Sequence, residues 1–141
     1  WTFICDNLIK FIKIIKVPFL NISTNKKIKN EQDLLAKSSY FISSTLNKPE
    51  KFLMVKLNDS SHMNFAGNNE PCCFVEIKSI GSLKPSNISK SICEFFSKEL
   101  QIPTERIFIF FQDVESNMWA WNKQTFGWNL IKFLKQCKLI N

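Results

Sequence analysis

Cysteine and histidine are the side chains that most readily ligate metals or act as nucleophiles, and their spacing in this chain permits little of either. The five cysteines (Cys5, Cys72, Cys73, Cys93 and Cys137) are scattered, odd in number and never in a Cys-x-x-Cys pair. Consecutive strand residues point to opposite faces, so Cys72 and Cys73 are not set up to pair. His62 is the only histidine, which leaves a zinc site short of ligands. Neither a disulfide scaffold nor a metal or other cofactor is expected, and reduced thiols fit a cytoplasmic setting. On residue type alone, Lys48 reads as a solvated lysine complementing the dipole of a helix C-terminus, and Pro18 as a strand-edge proline. Ile80, Phe108 and Phe110 read as core strand positions, and Trp119, Trp121 and Phe126 as cover for an edge or a subunit contact. His62 falls on a predicted turn and is given no role.

The remaining candidate chemistry is electrostatic. The net charge is +7, from 19 basic and 12 acidic residues. Residues 1–17 carry Lys10, Lys13 and Lys16 against Asp6, and residues 128–141 carry Lys132, Lys135 and Lys138 with no acid. Those segments hold +2 and +3, which leaves only +2 for the span 18–127. Arg106 is the sole arginine, whereas nucleic-acid readers favour arginine for bidentate contacts. Nucleic acid is therefore not the expected partner. The N-terminal stretch has lysine at every third position near its end, so it lacks the unbroken apolar run of a signal peptide and is too short and charged to span a bilayer. It reads as an amphipathic surface helix, or as sequence outside the functional chain. In the tail, Leu130, Phe133, Leu134 and Cys137 fall on one helical stripe, which suits a neighbouring subunit, a membrane surface or read-through sequence.

Positioning any site between these flanks requires a core, and 45% apolar residues with only three glycines supply one domain's worth. Residues 18–24 read as a strand, followed by a helix opened by Asn30 with Asp33 three residues on. Leu34, Leu35, Phe41, Ile42 and Leu46 recur at helical spacing. Lys48-Pro49 stops that helix, and 52–57 reads as a strand. The order then repeats: a strand over 72–80, breakers at Gly81 and Pro85, a helix over about 87–100 and a strand over 106–111. Corresponding strands lie 54 or 55 positions apart, which points to a duplicated β-α-β unit. Two right-handed crossovers imply an α/β fold: a four-stranded mixed sheet with both helices on one face. The other face needs cover, most simply another subunit.

Several motifs now fall in order: Pro18 with Asn25, Asn47-Lys48-Pro49-Glu50, Met63-Asn-Phe-Ala-Gly67, Asn69-Glu70-Pro71-Cys72, Ser79-Ile80-Gly81, Ile102-Pro103-Thr-Glu-Arg106-Ile-Phe-Ile, and Trp121-Asn122 with Thr125-Phe126. Across 18–127 the set resembles the macrophage migration inhibitory factor family of the tautomerase superfamily. The resemblance implies the tautomerase fold, a homotrimer whose sheets line a central channel, and keto-enol tautomerisation of phenylpyruvate-like and dopachrome-like substrates, with a cell-surface receptor and non-classical export as further possibilities. It places Pro18 at the catalytic N-terminal proline and Lys48 at the substrate-binding lysine. Ile80 matches a position whose backbone contacts substrate, and Trp121 and Phe126 match aromatic walls. Phe108 stands where many members carry a tyrosine and Phe110 where many carry an asparagine, so two polar groups are replaced by apolar rings. Cys72 matches the first cysteine of a pair found in some members, whose second is replaced by Val75.

The implied chemistry has a strict requirement. A base that moves a proton alpha to a carbonyl must be neutral near pH 7. A secondary amine meets this when an apolar pocket and a nearby cation lower its pKa below the ordinary ~7.7–8.0 of an α-amine. Acylated by Val17, Pro18 is a tertiary amide without useful basicity. The expectation is that the functional chain begins at Pro18; the alternative is a catalytically silent interaction protein of the same fold.

Overall fold

The computed structural model describes residues 17–81 and 83–128, with Thr2, Phe3, Asp6, Lys132 and Lys135 as isolated positions. Those isolated positions are helical, but the apolar stripe expected in the tail (Leu130, Phe133, Leu134 and Cys137) lies outside the described residues. Strand β1 (Pro18–Thr24) is flanked by β2 (Met54–Asn58), parallel to it, and β3 (Cys73–Ile80), antiparallel to it; β4 (Ile107–Val114) runs parallel to β3. The sheet order is β2-β1-β3-β4. Each parallel pair is joined through a helix, α1 (Glu31–Leu46) in the first half and α2 (Pro85–Leu100) in the second, which gives the expected pair of β-α-β units.

The alternation of side chains decides what each face of the sheet does. Leu20, Ile22, Val75 and Ile77 are buried on one face with Leu34 and Ile42 of α1 and Ile92 and Phe96 of α2. Both helices therefore cover the same face, and the stacked rings of Phe41 and Phe95, 4.1 Å apart, join them. The opposite face presents Phe108 and Phe110, exposed at 60% and 47%, together with exposed Met54.

Local chemistry sets the element ends. Asn30 caps α1 by accepting the Asp33 N–H at 3.0 Å, as expected. Pro85 proves to be the first residue of α2 rather than a breaker ahead of it, because the first turn has no use for the missing N–H. Phe52, expected in a strand, lies in a single 3-10 turn (Glu50–Phe52) that follows the extended Pro49. Strand β4 runs three residues beyond its expected end, carried through Gln112 and Asp113 by its register with Lys78 and Ser79. A small hairpin, β5 (Ala120–Trp121) and β6 (Gln124–Thr125), was not anticipated; Asn122 and Lys123 both take positive φ at its turn, where Asn-Gly would have been the plainer signal. Cys72 and Cys73 are both buried rather than divided between faces, because Cys72 precedes the strand. Its N–H is held by Asn25 Oδ1 and its carbonyl accepts the Thr24 hydroxyl.

Candidate active site

Pro18 opens β1, and its partner across the ladder is Ser79 near the end of β3. Lys48 reaches the same place from the helix side. Helix α1 ends at Leu46, Asn47 takes the left-handed conformation, and the Lys48 N–H returns to the Ser43 carbonyl at 2.9 Å. The Lys48 side chain then passes inward: it is 8% exposed, and its ammonium donates to Ser79 Oγ and, at 3.1 Å, to the Ile80 carbonyl. A lysine that residue type alone would leave solvated is thus buried, with its Nζ on the serine that pairs with Pro18.

Aromatic and aliphatic walls complete the site. A cavity of about 390 Å³ is lined by Val17, Pro18, Lys51, Phe52, Trp119 and Trp121, among others, with Lys48, Ile80 and Phe126 not among its lining residues; the volume is ample for a small aromatic acid. The Phe52 and Trp121 rings meet edge to face, with centroids 5.7 Å apart. Behind them Val17, Ile80 and Phe126 form a second buried cluster, with Phe52, Val114 and Trp119 packed against it. The Phe126 N–H holds the Trp119 carbonyl at 3.0 Å, tying the hairpin to that cluster. Pro18, Lys48, Ile80, Trp121 and Phe126 therefore gather at one end of the sheet.

Phe108 and Phe110 do not join them. Phe108 pairs with Phe74, at the opposite end of β3 from Ser79. Five strand positions separate those register points, about 17 Å at 3.3–3.4 Å per residue. Phe108 and Phe110 also face away from the helices, and Phe108 packs edge-on against Phe65 with centroids 4.7 Å apart. Within one copy of the chain, neither ring lines the Pro18 cavity.

The sequence reading missed Ser79 as the hydroxyl partner of Lys48, Phe52 as a wall and Val17 as part of the buried cluster. Ser79 lay inside a quoted motif, but nothing in its type marked the contact. The thiols lie elsewhere: Cys72, Cys73 and Cys93 are free, and burial pushes the Cys73 thiol up to about 12, so it remains a thiol at neutral pH.

A duplicated β-α-β sheet with a proline at the head of its first strand and a buried lysine against the next is the tautomerase fold. The chain belongs to the macrophage migration inhibitory factor family, whose model matches residues 17–127. A macrophage migration inhibitory factor homologue of Brugia malayi is 31% identical over 115 residues, covering 79% of this chain and all of the homologue. Among solved structures, the homologue from Prochlorococcus marinus aligns with a TM-score of 0.73 at 38% identity, over 77% of this chain and 99% of that one. The Trichinella spiralis factor aligns with a TM-score of 0.72 at 27% identity, over 76% and 98%. The match thus covers nearly the whole length of each of these relatives.

Proposed function

We propose that this chain, once Pro18 is its N-terminal residue, is a keto-enol tautomerase of phenylpyruvate-like and dopachrome-like substrates. The observation that carries the reading is that Pro18 lines a cavity walled by Phe52, Trp119 and Trp121, while Lys48 donates to Ser79, the ladder partner of Pro18, and to the Ile80 carbonyl. An aromatic 2-oxo acid would set its carboxylate against Lys48 and its ring among Phe52, Trp119 and Trp121. The free Pro18 amine takes the proton from the carbon next to the ketone. The C–H electron pair becomes the C=C bond, the carbonyl pair moves to oxygen, and protonation of that oxygen gives the enol. No electrons are gained or lost, so no redox cofactor is needed. Apolar walls and the Lys48 charge both favour the neutral amine.

A homotrimer accounts for the residues that one chain leaves apart. Since Phe108 and Phe110 lie on the uncovered face and away from Pro18, they reach such a pocket only from a second copy. A catalytically silent interaction protein, acting on a cell-surface receptor, is the second reading. It is favoured by the Val17–Pro18 peptide bond and by the apolar rings at 108 and 110. Turnover of phenylpyruvate by the Pro18-start chain, compared with its Pro18→Gly variant, separates the two. The tautomerase reading expects a large excess for proline; equal rates would favour the silent protein.

A further inference from the structure

The cavity beside Pro18 has one charged wall. Among the described residues that line it, Lys51 alone has an ionisable side chain, and the rest are apolar or aromatic. Lys48 is not among them: its ammonium is engaged by Ser79 and the Ile80 carbonyl. Lys51 is exposed, so of the two cations it is the one that both faces the cavity and is reached from solvent. The turn after Pro49 puts it there, because Glu50–Phe52 form a single 3-10 turn and carry Lys51 next to the Phe52 wall. Its ammonium lies 5.0 Å from the centroid of the Phe52 ring, a placement that the negative ring face favours. That ring meets Trp121 in turn. No acid neutralises the charge: Glu50 Oε2 accepts the Ser39 hydroxyl at 3.0 Å, and none of the ion pairs among the described residues includes Lys51. An unneutralised cation at the rim of an apolar cavity attracts anions, and the low-dielectric walls focus its field.

We propose that Lys51 is a second cation of this pocket, which selects acids over neutral compounds of the same shape by meeting the carboxylate at the cavity rim. The proposal deepens the tautomerase reading and rests on it for the kind of acid selected, an aromatic 2-oxo acid. The two lysines then differ in how they act. Lys48 works from within the protein, where dissolved salt screens it little, whereas Lys51 works at the surface, where salt screens it strongly. An exposed contact is also weaker than a buried one, so the preference that Lys51 confers should be about threefold to tenfold.

The test separates charge from shape and binding from turnover. 3-Phenylpropionate has the ring and chain length of phenylpyruvate but no ketone, and 3-phenylpropanamide is its neutral counterpart. Each is titrated into the full chain and into its Lys51→Met and Lys51→Glu variants, with binding read from tryptophan fluorescence. Methionine keeps an unbranched stem against Phe52 and removes the charge. The expected result is that the full chain binds the acid about threefold to tenfold tighter than the amide. Added salt should shrink that preference, Lys51→Met should abolish it with amide affinity unchanged, and Lys51→Glu should reverse it. A preference that survives Lys51→Met, or that salt does not weaken, overturns the proposal, since the selecting charge then lies elsewhere. So does a Lys51→Met chain that weakens acid and amide alike, which marks a structural role, and so does absence of binding to the full chain. A preference that depends on Lys51, with no phenylpyruvate turnover by the Pro18-start chain, supports the assignment while removing the tautomerase reading. Turnover without that preference does the reverse, so the two claims fail separately.

Discussion

Replacing Lys48 with methionine in the Pro18-start chain keeps the unbranched stem and removes the charge. The residue is 8% exposed, with its ammonium donating to Ser79 Oγ and the Ile80 carbonyl. Two opposing terms set the change in stability. Ser79 and Ile80 lose a donor, at about 1 kcal/mol each, while the cost of burying an ammonium disappears. The two nearly offset, so the melting curve should show a change within about 2 kcal/mol. Activity has no such compensation. A charge-assisted bond to a substrate carboxylate is worth about 1.5–3 kcal/mol, which is about a 10-fold to 150-fold loss in kcat/KM. Since the carboxylate is held in both the ground and transition states, most of the loss should fall on KM. The pH profile carries an independent sign. A cation beside the proline amine disfavours its protonation and lowers its pKa, so deleting the cation raises that pKa and moves the acid limb of kcat/KM to higher pH. Phenylpyruvate turnover across pH measures both. A folded Lys48→Met enzyme with unchanged KM and an unmoved acid limb would refute the role given to Lys48.

Four further outcomes follow from other parts of the fold. Ser38 is fully buried on α1, and its hydroxyl has no hydrogen-bond partner among the described residues, so Ser38→Ala should stabilise the domain by about 1 kcal/mol in chemical denaturation. On the proposed homotrimer, Phe108→Asp, on the uncovered sheet face, should cost the subunit interface about 1.5–3 kcal/mol per ring and lower the mass measured by light scattering, with helical circular dichroism retained; an unchanged mass would contradict an interface on this face. The Cys73 thiol, held at about 12 by burial against an ordinary 9.0, stays protonated in the fold when the unfolded chain has already ionised. The native state then holds more protons, so this group lowers stability as pH rises from about 9 to about 12. Native Cys73 should also resist alkylation at pH 8, where the denatured chain reacts.

The duplicated sheet was legible because its parts obey local rules. Asn30 caps α1, Pro49 prevents its continuation, and the apolar residues of each strand alternate. What escaped depends on partners distant in sequence. Phe52 is apolar enough for a strand, but the turn after Pro49 redirects it toward Trp121. Gln112 and Asp113 look like a strand's end, yet backbone pairing with β3 carries them. The site divides in the same way. The family resemblance grouped Pro18, Lys48, Ile80, Trp121 and Phe126, and the fold gathers them at one end of the sheet. It could not reveal that Phe108 and Phe110 lie on the uncovered face away from the Pro18 cavity, because a sequence pattern does not fix where along the sheet each strand position falls. Val17 was visible only as the acyl group on Pro18; its burial against Ile80 and Phe126 is a tertiary fact.

The identity of the N-terminal residue decides whether this pocket holds a base. Intact-mass measurement of the protein recovered from its native source, on the same fraction that turns over phenylpyruvate, tests that directly. The account predicts a chain that begins at Pro18. A tautomerase-active chain whose mass still includes Val17 would contradict it.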